Sequence, residues 1–150
     1  MPSKKGESVE STLQSTLYNL IELHNQIKSA HWNLVSPNFI ALHEHFDKSA
    51  EVVYAAIDEV AERIRQLGPF VDGTAKGVVD GHTIKAFPTG KVSGEQACKA
   101  LAAAFKSVGD QLNEGIDQSG ESGDPVTADL LTQVYGRFEL QRWLIESHVA

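Results

Sequence analysis

Only one cysteine, Cys98, occurs in the 150 residues. That excludes an internal disulfide and any cysteine metal cluster, and nothing around Cys98 marks it as a nucleophile. No apolar run approaches the about 20 residues needed to span a membrane. Lys4 and Lys5 could open a secretory leader, but Gly6-Glu7-Ser8-Val9-Glu10 is not the apolar core of one. The expected location is therefore cytoplasmic. Basic residues are also scarce: 13 Lys and Arg against 20 Asp and Glu leave a net charge of −7. Such a surface repels phosphate backbones, so nucleic-acid binding would need a local basic element. With 41% hydrophobic and 22% charged residues the chain is globular, and its length suits one domain.

The chain that remains reads as helix. Apolar residues fall at Leu13, Leu17, Leu20, Ile21, Ile27 and Leu34, mostly in steps of three and four. This predicts a first helix from Ser8 to Asn33. Ser36-Pro37 offers an N-cap and a first helical position for a second, which carries Phe39, Leu42, Phe46, Val53, Ile57, Val60, Ile64 and Leu67. Gly68-Pro69 stops it. Residues 69–92 are too long and too rich in breakers for a tight turn, and read as a crossover with a short helix near Thr74 to Val79. Ser93 and Gln96 form a capping-box pattern that opens a third helix, expected to end near Gln118 before a loop from Ser119 to Gly123. Asp124-Pro125 opens a fourth, running to about Ser147. The expectation is all-α: a ferritin-like four-helix bundle over residues 9–150, with a short flexible tail at residues 1–8.

Five potential metal ligands lie in the first half: His31, His43, Asp47, Asp58 and Glu62. His43 and Asp47 are four residues apart on the second helix, as are Asp58 and Glu62. Asp47 and Asp58 differ by roughly 20° in direction but by roughly 16 Å along the axis. Metal–ligand bonds are only about 2 Å long. An unbroken helix therefore cannot bring both pairs to one metal. Two copies packed antiparallel about a two-fold axis can, with His31 joining His43 across the short turn. Glu-x-x-His, the usual signature of a di-iron site inside one bundle, is absent. A His and carboxylate shell suits Fe(II), Mn or Zn better than Ca or Mg. The plain alternative is a solvated acidic face, with Glu62 paired to Arg65 or to a lysine elsewhere.

At these residues the sequence resembles the Dps family, the mini-ferritins. The matching stretches are His31-Trp32-Asn33, Asn38-Phe39-Ile40-Ala41-Leu42-His43-Glu44 through Asp47, then Asp58, Ala61-Glu62-Arg63 and Leu67-Gly68. Thr127-Ala128-Asp129-Leu130-Leu131-Thr132 and Trp143-Leu144-Ile145-Glu146-Ser147 extend the match to nearly the whole chain. The resemblance implies a hollow homo-dodecamer whose ferroxidase centres lie at two-fold dimer interfaces. His31, His43 and Asp47 match the ligands of one subunit, and Asp58 and Glu62 those of its partner. Fe(II) would be oxidised, preferably by hydrogen peroxide rather than oxygen, and stored as ferric oxyhydroxide, protecting against oxidative damage. Trp32 matches a position beside the centre where an aromatic ring quenches radicals. Asp124 and Asp129 match positions lining acidic pores. Alternatives are a shell that buffers Zn or Mn at a blocked centre and a DNA-compacting nucleoid protein.

The tail argues against tight DNA binding. Lys4 and Lys5 are offset by Glu7 and Glu10, and every copy adds a charge of −7. DNA binding is expected to be weak or absent at physiological salt, and a gel shift that survives about 150 mM salt without Mg2+ would contradict this.

Overall fold

The computed structural model describes residues 7–149. The chain runs α1 (Val9–Asn33), β1 (Leu34–Val35), α2 (Phe39–Leu67), α3 (Ala75–Gly81), β2 (Val92–Ser93), α4 (Gly94–Glu121) and α5 (Pro125–Glu146). The long helices pack as two pairs, α1 on α2 and α4 on α5, and α1 also packs on α4 to close the bundle. Leu13, Leu17, Leu20, Leu23 and Ile27 form the apolar stripe of α1; Leu42, Phe46, Val53, Val60 and Ile64 form that of α2. Across the bundle, Phe105 of α4 meets Phe138 of α5 edge-on, with ring centroids 5.2 Å apart. Among the described residues no helix is long and apolar enough to cross a membrane. Lys4 and Lys5 and most of the expected tail lie outside the described residues.

Local chemistry sets the helix ends. The Ser8 hydroxyl accepts from the Ser11 amide, and Ser93 and Gln96 form the expected capping box. Thr74 caps α3 by accepting from the Gly77 amide. Gly68 ends α2 at φ 122°, a conformation side chains disfavour, with its amide on the Arg65 carbonyl. The crossover helix lies close against α1: a Cβ on Gly81 would stand 2.3 Å from the Tyr18 ring. The Tyr18 hydroxyl donates to Asp72 at 2.9 Å, and the Gln14 amide donates to the Asp72 carbonyl, so the crossover is tied down at two points.

Two local expectations are corrected, and one feature is new. Ser36 is not the N-cap of α2 and Pro37 is not its first residue. Asn38 is the cap residue, without a side-chain cap bond; its carboxamide bonds the Ser36 hydroxyl, and the Ser36 carbonyl accepts from the Phe39 amide. Ser36 to Asn38 form a turn ahead of the helix. The expected loop at 119–123 is shorter, because α4 continues to Glu121. The Ser119 and Ser122 hydroxyls bond back to the carbonyls of Gly115 and Gln118, which is compatible with continued helix, and Gly123 at φ 73° makes the turn. A two-residue parallel bridge, Leu34 to Val92 and Val35 to Ser93, is additional. It pins the end of α1 beside the start of α4.

Cys98 is fully buried, and burial pushes its thiol up to about 11. It is therefore expected to resist thiol reagents at pH 8 in the native state and to label only on unfolding. Rapid stoichiometric labelling of folded protein would contradict that packing.

Candidate metal centre

His31 sits in the last turn of α1 and His43 in the second turn of α2, and the short connection brings them face to face. Their rings stack with centroids 3.7 Å apart and planes 12° apart, and Phe39 stacks on the other side of His43 at 4.8 Å. Each Nδ1 lies 2.7 Å from the other residue's backbone carbonyl. A carbonyl oxygen only accepts, so each Nδ1 carries a proton and donates. In the neutral imidazoles both Nε2 atoms then keep bare lone pairs. This second hydrogen bond is what fixes tautomer and ring direction in metal-binding histidines. The His31 carbonyl, one of the last in α1, lacks a helical partner and gains one from His43.

Asp47 follows His43 by one turn, and its Oδ1 lies 4.0 Å from His31 Nε2. Lys28, one turn before His31 on α1, donates to the same oxygen at 2.8 Å. That bond, with the Lys28 charge, holds the Asp47 carboxyl below the usual carboxylate range. Sequence reading missed Lys28, although three residues before His31 puts it on the same helix face. Its ammonium lies 5.6 Å from the Trp32 ring centroid, and Trp32 is 68% exposed.

The second half of the set lies farther along α2. The Asp58 charge raises the Glu62 carboxyl, and hydrogen bonding between the two carboxyls adds to this. Two carboxyls one helical turn apart repel each other, and an arriving metal ion would relieve that repulsion. Glu62 does not pair with Arg65, contrary to the alternative weighed above. Arg65 bonds the Gly68 and Pro69 carbonyls and stacks on Phe70. The helix between the halves is continuous from Phe39 to Leu67, so the axial separation of roughly 16 Å stands. Among the described residues of a single chain, no three His, Cys, Asp or Glu side chains gather to hold a metal ion.

Asp124 is committed locally. Its carboxylate accepts from the Thr127 amide and hydroxyl and from the Arg63 guanidinium at 3.0 Å, and these bonds, the hydroxyl foremost, hold it below the usual range. Arg63 also donates to the Thr127 hydroxyl, which ties the end of α2 to the start of α5. Asp129 is exposed on α5 and accepts from Gln133. His45 faces away from the centre, its ring 5.7 Å from that of His148.

The family of ferritin-like domains, described as Ferritin, matches residues 10–150. A DNA protection during starvation protein of Agrobacterium fabrum is 34% identical over 99% of this chain and 92% of its own length. One from Mycolicibacterium smegmatis is 32% identical over 99% of this chain and 81% of its own. The crystal structure of Dps from Staphylococcus aureus superposes with a TM-score of 0.90 at 26% identity, covering 99% of each chain. With its bundle, its crossover helix and near full-length similarity to these proteins, the chain belongs to the Dps family of mini-ferritins, within the ferritin-like fold.

Proposed function

We propose that this protein is a ferroxidase and iron store whose centres are shared between two copies. His31, His43 and Asp47 would bind Fe(II) together with the partner's Asp58 and the partner's Glu62. The observation that carries this reading is the division of the ligand face. Two imidazoles with their Nε2 lone pairs free stand beside Asp47 at one end of α2, and a carboxyl pair stands roughly 16 Å away on the same face. An antiparallel second copy overlays the two ends twice, giving two identical centres.

The residues define the chemistry. Carboxylates stabilise Fe(III) relative to Fe(II), which favours electron loss. Two Fe(II) ions supply two electrons, and hydrogen peroxide with two protons becomes two waters. The O–O bond is then broken without release of a hydroxyl radical. Hydrogen peroxide is the preferred oxidant in this reading. Asp129, exposed near the start of α5, would help attract cations to a pore of a dodecameric shell. Asp124 would contribute mainly by holding that helix start in place. The ferric product would be stored as oxyhydroxide within the shell, limiting oxidative damage.

The test is Fe(II) oxidation by metal-stripped protein, loaded anaerobically and then given peroxide or air. The expected result is oxidation far faster than a protein-free control, faster with peroxide than with air, and about two Fe(II) consumed per peroxide. A rate no higher than the control would contradict this reading, and metal analysis of the protein as purified would show whether Zn, which His and carboxylate sites bind more tightly than Fe(II), or Mn occupies the centre instead.

A further inference from the structure

Tyr54 is 67% exposed on α2, and its ring centroid lies 5.8 Å from that of His24 on α1. It shares the ligand face: by helix geometry it lies within about 40° of both Asp47 and Asp58. The span from His43 to Glu62 has its midpoint between Val52 and Val53, so Tyr54 lies within about 3 Å of that midpoint along the axis. It stands roughly 6 Å along the helix from Asp58 and roughly 10 Å from Asp47. In the antiparallel pair proposed above, it lies between the two centres.

Two features create a use for a reductant there. Lys28 already holds one Asp47 oxygen at 2.8 Å, so a metal ion arriving at that carboxylate meets an ammonium beside it, which disfavours filling the centre with two. At low iron supply a centre with one Fe(II) has a single electron to give, and one-electron reduction of peroxide releases a hydroxyl radical. The nearby Trp32 is a poor second donor. An ammonium 5.6 Å from its ring stabilises the neutral π-system and repels the radical cation that oxidation would form.

We propose that Tyr54 is the second electron donor of a centre holding one iron, with His24 accepting its phenolic proton. This step rests on the ferroxidase reading. One electron leaves Fe(II) and one leaves the Tyr54 phenol, whose proton passes to His24 through a bridging water. Peroxide takes both electrons and two solvent protons, its O–O bond breaks, and two waters form. Fe(III), a neutral tyrosyl radical and a protonated His24 remain. His24 is kept neutral before the step by burial and by the Lys28 charge, both of which lower its pKa. The other tyrosines are placed differently. Tyr18 is bonded to Asp72 and lies roughly 20 Å along α1 from His31, and Tyr135 is on α5.

The experiment loads metal-stripped protein anaerobically with one Fe(II) per subunit, mixes it with hydrogen peroxide, and freezes it within milliseconds for electron paramagnetic resonance. A tyrosyl signal is expected in the unmodified protein and in Trp32→Phe. It should fall about tenfold or more in Tyr54→Phe and severalfold in His24→Gln. Iron oxidation should persist in all four, and a spin trap should report more hydroxyl radical from Tyr54→Phe. An equal radical yield in Tyr54→Phe, or no tyrosyl signal in unmodified protein that oxidises its iron, overturns the assignment to Tyr54. No accelerated oxidation in any of the four proteins overturns the ferroxidase reading, and this step with it.

Discussion

Asp58→Ala is expected to abolish fast Fe(II) oxidation while leaving the bundle folded and assembled. The carboxylate it removes holds Glu62 above its ordinary range, and among the described residues neither carboxyl pairs with a basic side chain. Without Asp58 the raising charge is gone, Glu62 returns towards an ordinary carboxyl, and the centre keeps one acidic ligand at that end. Loss of a ligand from a small His and carboxylate set costs far more than loss of a surface ion pair. The expected rate is that of the protein-free control, measured by ferric absorbance under peroxide. Helix content should not change, because like charges one turn apart mildly destabilise a helix and their removal relieves that. A variant that keeps more than about a tenth of the original rate would place the chemistry elsewhere.

Phe138→Ala is expected to have the largest effect on folding. Its ring is 1% exposed and packs edge-on against Phe105, joining α5 to α4. Truncating a buried phenylalanine removes its transfer free energy and leaves a cavity, at a cost of roughly 3–5 kcal/mol. Urea unfolding at fixed protein concentration, followed by helical circular dichroism, should show a clearly lowered midpoint. Phe70→Ala is the contrast. That ring is 87% exposed, and its removal should cost less than about 1 kcal/mol. Equal shifts for the two would contradict the packing of the α4 and α5 pair.

Much of this architecture is legible in the residues because its signals are local. Ser8, Ser93 with Gln96, Gly68 and Asp124-Pro125 each mark a helix end through a bond or a backbone angle made within three or four residues. The division of the proposed ligand set is legible for a related reason. A continuous helix fixes both direction and axial distance, so Asp47 and Asp58 are separated by arithmetic alone. Features that depend on tertiary approach are not. Ser36-Pro37 has the composition of a helix start, but the chain turns there to bring β1 beside β2, and the helix begins two residues after Pro37. The reciprocal bonds between His31 and His43 need two helix ends held side by side. The claim of Lys28 on Asp47 needs the same approach, and it is the main cause that lowers the Asp47 carboxyl.

The most direct test of a centre shared between copies is subunit complementation. Asp58→Ala protein and His31→Ala/His43→Ala protein would each be inactive alone. Disassembled, mixed and reassembled, with mixed composition verified by mass spectrometry, they would form some interfaces that carry one intact half from each parent. The account predicts that Fe(II) oxidation returns to a sizeable fraction of the unmodified rate. Verified mixed assemblies that stay as inactive as their parents would contradict it.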